Sequence, residues 1–113
     1  MYLNEGKYVE AIKYYIYAGE SYQKDGGIFL EDAANCFNNA ATLYTEMGNF
    51  DKAIIYYQKA IDCYVNLIPE YDDKKTLYHN LVACCEDLGI ASSAIEDFET
   101  SAKFIIKALE FLV

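Results

Sequence analysis

The chain contains no arginine, and only one histidine and one proline among its 113 residues. Each absence removes a class of function. All nine basic residues are lysine, set against 18 acidic ones, for a formal net charge of −9. Phosphate neutralisation supplies most nucleic-acid affinity, so a chain this acidic excludes that partner. It also lacks the planar donors that grip carboxylates two at a time. Any partner steered by charge is basic; the alternative, that acidity only keeps the protein in solution, stays open. A single histidine leaves little for nucleophilic catalysis, which needs a Cys or Ser beside an oriented base.

Four cysteines occur, Cys36, Cys63, Cys84 and Cys85, and none forms a CxxC. All lie in helical apolar patterns, as buried free thiols do, which suits a reducing, cytoplasmic setting. Neither they nor His79 offer zinc-ligand spacing, and His79 and Cys84 turn away from each other on a helix. Gly26-Gly27 follows no strand, so it reads as a turn and cannot be a phosphate cradle. Asp72-Asp73 and Glu86-Asp87 read as helix-cap and solvated charges. The expectation is a non-enzyme with no cofactor and no metal. No run of 18 apolar residues is present, and the N-terminal stretch lacks a small-residue cleavage site. Membrane association is therefore expected to be peripheral at most.

What the chain does have is apolar surface and repetition. Hydrophobic residues make up 54% of it, enough for a core. Gly6, Gly48 and Gly89 stand 42 and then 41 residues apart. Two residues after them come Tyr8, Phe50 and Ala91; five after come Ala11, Ala53 and Ala94, followed by Ile12, Ile54 and Ile95. Nine after come Tyr15, Tyr57 and Phe98, and twelve after come Ala18, Ala60 and Ser101. A glycine can take positive φ and end one helix so that the next folds back. Small residues let the two backbones approach, and aromatics fill the gaps between them.

The spacing predicts an all-α domain of about five helices in antiparallel hairpins, stacked as a right-handed superhelix. Helices are expected at about Tyr8–Lys24, Phe29–Met47 and Phe50–Leu67. A fourth runs from an Asp72 cap to Leu88, and a fifth starts near Ala91. Asn49 is placed to cap the third, and Ile68-Pro69-Glu70-Tyr71 reads as a loop. This divides residues 1–113 into a half repeat (1–27) and two full repeats (28–68 and 69–113), one domain that can be a segment of a longer array. The run Tyr14, Tyr15, Tyr17 and Tyr22 is expected to be mostly core and hairpin interlock. The apolar end Phe104–Val113 is unusual for a capping helix, which leaves open self-association through apolar ends.

Phe37, Ala41, Tyr44, Gly48, Phe50, Ala53, Tyr57 and Ala60 together resemble a tetratricopeptide repeat. A second copy, Tyr78, Gly89, Ala94, Phe98 and Ser101, is looser. The period exceeds the usual ~34 residues of that repeat. Among long-repeat families, the soluble NSF-attachment proteins are similar over most of the chain, through YVEAIKYYIYAGESYQKD, DAANCFNNAATLY and GNFDKAIIYYQKAI. Kinesin light chains are similar at Asn38-Asn39-Ala40-Ala41 and His79-Asn80-Leu81-Val82. The first resemblance implies an adaptor that lies along a bundle of SNARE helices in vesicle-mediated transport. Those adaptors carry basic patches, however, and this chain has few lysines on its inner helices. The second resemblance implies a groove for an extended cargo peptide.

The inner surface of such a stack is lined by the first helix of each hairpin. There Asn35, Asn38, Asn39, Thr42 and Glu46 fall at i, i+3, i+4, i+7 and i+11, on one stripe. Thr76, His79 and Asn80 hold the matching positions on the next first helix. Carboxamides can both donate to and accept from a peptide backbone, so these eight residues are the candidate partner-binding set.

Overall fold

Two glycine turns set the path of the backbone. The computed structural model describes residues 5–67 and 74–95, together with Glu99, Ala102, Lys103, Ile106 and Glu110. Among them are four α-helices: α1 (Glu5–Asp25), α2 (Leu30–Glu46), α3 (Phe50–Leu67) and α4 (Lys74–Ala94), with a single 3-10 turn at Gly27–Phe29. Between α1 and α2, Gly26 and Gly27 have φ of 66° and 55°, a region that costs a side chain but not a glycine. Tyr22 and Phe29 stack across this corner with ring centroids 5.9 Å apart.

The α2–α3 turn is a Schellman motif. Gly48 has φ 81°; its N–H donates to the Thr45 carbonyl at 3.0 Å, and the Asn49 N–H to the Tyr44 carbonyl at 2.9 Å. Asn49 then opens α3 as expected, its Oδ1 accepting the Lys52 N–H at 3.4 Å. Carbonyls left free by one helix and an amide left free by the next are thus paired within a few residues.

The helices run antiparallel, all-α as the spacing predicts. Asn35, early in α2, bonds Tyr64, late in α3, while Thr42 and Thr45 meet Tyr57 further back along α3. Ala33, Ala34, Ala40 and Ala41 on α2 and Ala53 and Ala60 on α3 have no exposed surface, so the backbones approach closely. Phe37, fully buried, fills the space where α1, α2 and α3 converge. A Cβ added at Gly19 of α1 would lie 2.8 Å from the Phe37 ring, so the ring rests on bare backbone. Tyr56 stacks on Phe37 at 6.1 Å between centroids, and the Lys59 ammonium stands 5.6 Å from the same ring. Tyr44 continues the stack on Tyr56 at 5.7 Å.

Of the three spaced glycines only Gly48 turns the chain as expected: Gly6 lies inside α1, and Gly89 does not end a helix either. α4 passes through Gly89 without interruption and ends at Ala94, so no helix starts near Ala91. The reason is the burial pattern: Leu81, Cys84, Cys85, Leu88, Ala91 and Ser92 are all buried, an apolar stripe that crosses Gly89 at helical spacing. Glycine costs a helix interior only about 1 kcal/mol, and no capping residue follows it as Asn49 follows Gly48. The third copy of the pattern therefore slips: Ala94 is exposed where Ala53 is buried. Ile95 is 37% exposed where Ile12 and Ile54 are 3% and 5%. Beyond it, Glu99, Ala102, Lys103, Ile106 and Glu110 are helical. The Asp72 cap, the Ile68–Tyr71 loop and most of Phe104–Val113 lie outside the described residues.

Candidate protein-interaction surfaces

The polar stripe on α2 divides into residues that hold the scaffold and residues that face outward. Asn35 accepts a hydrogen bond from the Tyr64 hydroxyl at 2.6 Å. Asn38 is half-buried, and its Oδ1 receives the Cys84 thiol of α4 at 3.8 Å. Thr42 donates to the Asn38 carbonyl at 3.0 Å and lies 3.3 Å from the Tyr57 hydroxyl. These three tie α2 to α3 and α4. Asn39 and Glu46 are exposed. Asn39 and Thr42, with Leu43, border a depression between α1 and α2 whose other wall is Lys7, Tyr8, Ala11 and Tyr15. On α4, His79 is exposed and Asn80 half-buried; the Thr76 side chain lies outside the described residues.

Beneath the stripe the titratable groups are kept neutral. Burial raises the Tyr57 hydroxyl, and the Thr42 and Thr45 hydroxyls offset part of that rise. Burial likewise pushes up Tyr64 and Cys84, and takes Cys63 and Cys85 to about 11. Thiols held this way are poor nucleophiles, because the thiolate is the reactive form. All four cysteines are free. His79 is exposed while Cys84 is fully buried, so the two do not form a nucleophile–base pair. Among the described residues no three His, Cys, Asp or Glu side chains gather as a metal site.

The tyrosines of α1 behave differently from expectation. Tyr14 and Tyr17 are 80% and 77% exposed, so neither is core. The cause is helical phase: Ile12 and Gly19 point into the stack, and Tyr14 and Tyr17 fall on the far side of the same helix. Tyr15 is half-buried, and Tyr22 is 36% exposed. The signal was available in the sequence, since the inward phase set by Ile12 already excludes both residues.

A tetratricopeptide-repeat family model matches residues 1–66, which include α1, α2, the Schellman turn and nearly all of α3. The chain belongs to the tetratricopeptide-repeat family. No curated protein matches it. Tetratricopeptide repeats in general mediate protein–protein interaction and are not enzymes, which agrees with a surface of carboxamides and tyrosines over a core of neutral groups. Among the described residues no helix is long and apolar enough to cross a membrane.

Proposed function

We propose that this chain is a non-enzymatic adaptor that holds helical protein partners along its extended face, in the manner of the soluble NSF-attachment proteins. The observation that carries the reading is the division of labour on α2. Asn38 and Thr42 tie the helices together from half-buried positions, Asn35 is exposed but engaged by Tyr64, and Asn39 and Glu46 face outward as contact points. His79, exposed, and Asn80, half-buried, would extend the contact surface onto α4. The net charge of −9 favours a partner with basic residues, and such steering acts mainly on the association rate. The attachment-protein part of the proposal is supported by the order and spacing of the sequence resemblance, and it places the protein in the cytoplasm, peripheral to membranes.

A second reading has one observation in its favour. The depression between α1 and α2 brings Asn39 and Thr42 beside Tyr8, Tyr15 and Lys7, which offers donors, acceptors and apolar walls to an extended peptide, as in kinesin light chains. The test is co-sedimentation of the purified chain with an assembled SNARE bundle. The adaptor reading expects a complex that Asn39→Ala with Asn80→Ala weakens only modestly. Absence of any complex sinks it. Capture of extended peptides that the same double substitution abolishes supports the groove instead. A homo-oligomer that binds neither would assign the surface to self-association.

A further inference from the structure

The end of α4 carries two signals that disagree. The helix runs through Gly89 to Ala94, held there by the burial of Leu88 and Ala91. Three features of that last stretch work against it. Ser92 has no exposed surface, and its hydroxyl finds no hydrogen-bond partner among the described residues. Ile90 turns most of its surface to solvent, at 63% exposed. The last turn holds no basic residue, and Glu96 and Asp97 follow it in the chain. Acidic charge thus gathers where the helix dipole is already negative.

The sequence offers a different boundary at the same place. Ser93-Ala94-Ile95-Glu96 has the form of a capping box. In that motif the serine side chain accepts the backbone N–H of the glutamate, whose carboxylate reaches back to the serine N–H. Gly89 stands just ahead of it and can take the positive φ that Gly48 takes at the end of α2. Ala94 and Ile95 have the spacing from Gly89 that buried Ala53 and Ile54 have from Gly48. With the boundary at Ala94, both are exposed.

We propose that Gly89–Ser93 is a two-state segment: helical in the major state, and in the minor state a turn that ends α4 at Leu88 and starts the next helix at a Ser93 cap. The exchange moves the end of α4 from Ala94 to Leu88, about 9 Å along its axis. Charge at position 93 sets the balance. Ser93 lies in the last turn of one helix in the first state and caps the start of another in the second. An anionic group there is disfavoured by the first arrangement and held by the second. The segment is thus a built-in response to negative charge at Ser93, whose side chain is exposed.

The test is relaxation-dispersion NMR on the 113-residue chain, which reads microsecond-to-millisecond exchange. It needs no partner and so stands apart from the test of the adaptor surface. A minor state of about 0.1–10% is expected. Its carbon shifts are expected to leave helical values at Ile90–Ser93 and to gain them at Ile95, with one exchange rate for the whole segment. Ser93→Asp keeps a capping oxygen and adds the charge, and is expected to raise the minor population about fivefold. Gly89→Ala is expected to lower it about fivefold or more, because alanine favours a helix interior and resists positive φ. Circular dichroism checks that both variants keep their fold. Exchange that spreads inward from Ala94, with no gain of helical shifts at Ile95, is end fraying and overturns the proposal. So does the absence of exchange in both the parent and Ser93→Asp, or a minor population that either substitution leaves unchanged.

Discussion

α1 and α3 are two readings of one pattern. Both place alanine, isoleucine and tyrosine at the same offsets from a glycine: Ala11 and Ala53, Ile12 and Ile54, Tyr15 and Tyr57, Ala18 and Ala60. Ile12 and Ile54 are buried alike, at 3% and 5% exposure, because each faces inward to a neighbouring helix. Away from that shared phase the two helices part. α3 is enclosed by α2 on one side and α4 on the other, and Tyr57, Ala60, Ile61, Cys63 and Tyr64 are all buried. α1 has α2 on one side, and its other side presents Tyr14 and Tyr17 to solvent. The lesson is that residue type sets what a helix can pack against, whereas the number of neighbours decides how much of it is buried.

The comparison can be broken most sharply at Phe37, the ring shared by both helices. Phe37→Ala removes the side chain that rests on Gly19 of α1 and on Tyr56 of α3. The expected cost is about 3–5 kcal/mol, enough to unfold most of a domain this size. Tyr14→Ala, on the bare face of α1, is expected to stay within about 0.5 kcal/mol. Urea titration followed by circular dichroism separates the two, and equal effects would mean that Tyr14 is packed.

Gly19→Val comes next. The new side chain would drive into the Phe37 ring, which Tyr56 holds from behind, and overpacking of this kind costs about 1–3 kcal/mol. Glycine-to-valine at the matching α3 position has no counterpart, since Ile61 already fills it. A thermal melt that leaves Gly19→Val unchanged would show that α1 can slide away from Phe37.

Removing single hydroxyls sharpens the contrast further. Tyr64→Phe deletes the donor to Asn35 and is expected to cost about 1 kcal/mol. Its periodic equivalent Tyr22→Phe is expected to cost a few tenths at most. If the two melt alike, the 2.6 Å bond between Tyr64 and Asn35 contributes nothing net.

The last expected effect is a pH dependence that appears only in alkaline solution and is carried by α3 and α4. Burial raises Cys63 and Cys85 to about 11 from an ordinary 9.0. The folded state thus binds these protons more tightly than the unfolded state. Their contribution to stability is fully present below about pH 9 and is lost as pH rises towards 11. Urea midpoints are expected to fall over that window and to be flat in this respect below it. Iodoacetamide at pH 8 is expected to reach half-buried Cys36 first, while Cys63, Cys84 and Cys85 wait for unfolding. Early labelling of Cys84 would contradict its burial.

Much of this fold was legible in residue spacing. Gly48 with Asn49 behind it specified a turn and a cap, and α3 runs over the expected Phe50–Leu67. Gly89 carried the same period but not the same chemistry. The apolar stripe from Leu81 to Ser92 crosses it unbroken, and local burial outweighed the glycine. The polar stripe of α2 was legible as a set of residues on one face. Which of them spend their hydrogen bonds inside the stack was not, because Asn35 and Asn38 look alike in sequence. Only the arrival of Tyr64 and Cys84 distinguishes them from Asn39.

By itself, then, the amino-acid sequence determined the all-α class, the two glycine turns and the inward phase of each helix, since these rest on backbone conformation and on spacing within a dozen residues. The tertiary structure alone decided that α4 continues through Gly89, that Phe37 closes onto Gly19, and that Asn35 and Asn38 spend hydrogen bonds inside the stack. Each of those outcomes depends on which helix lies alongside, and packing free energy is shared between helices that no local pattern connects.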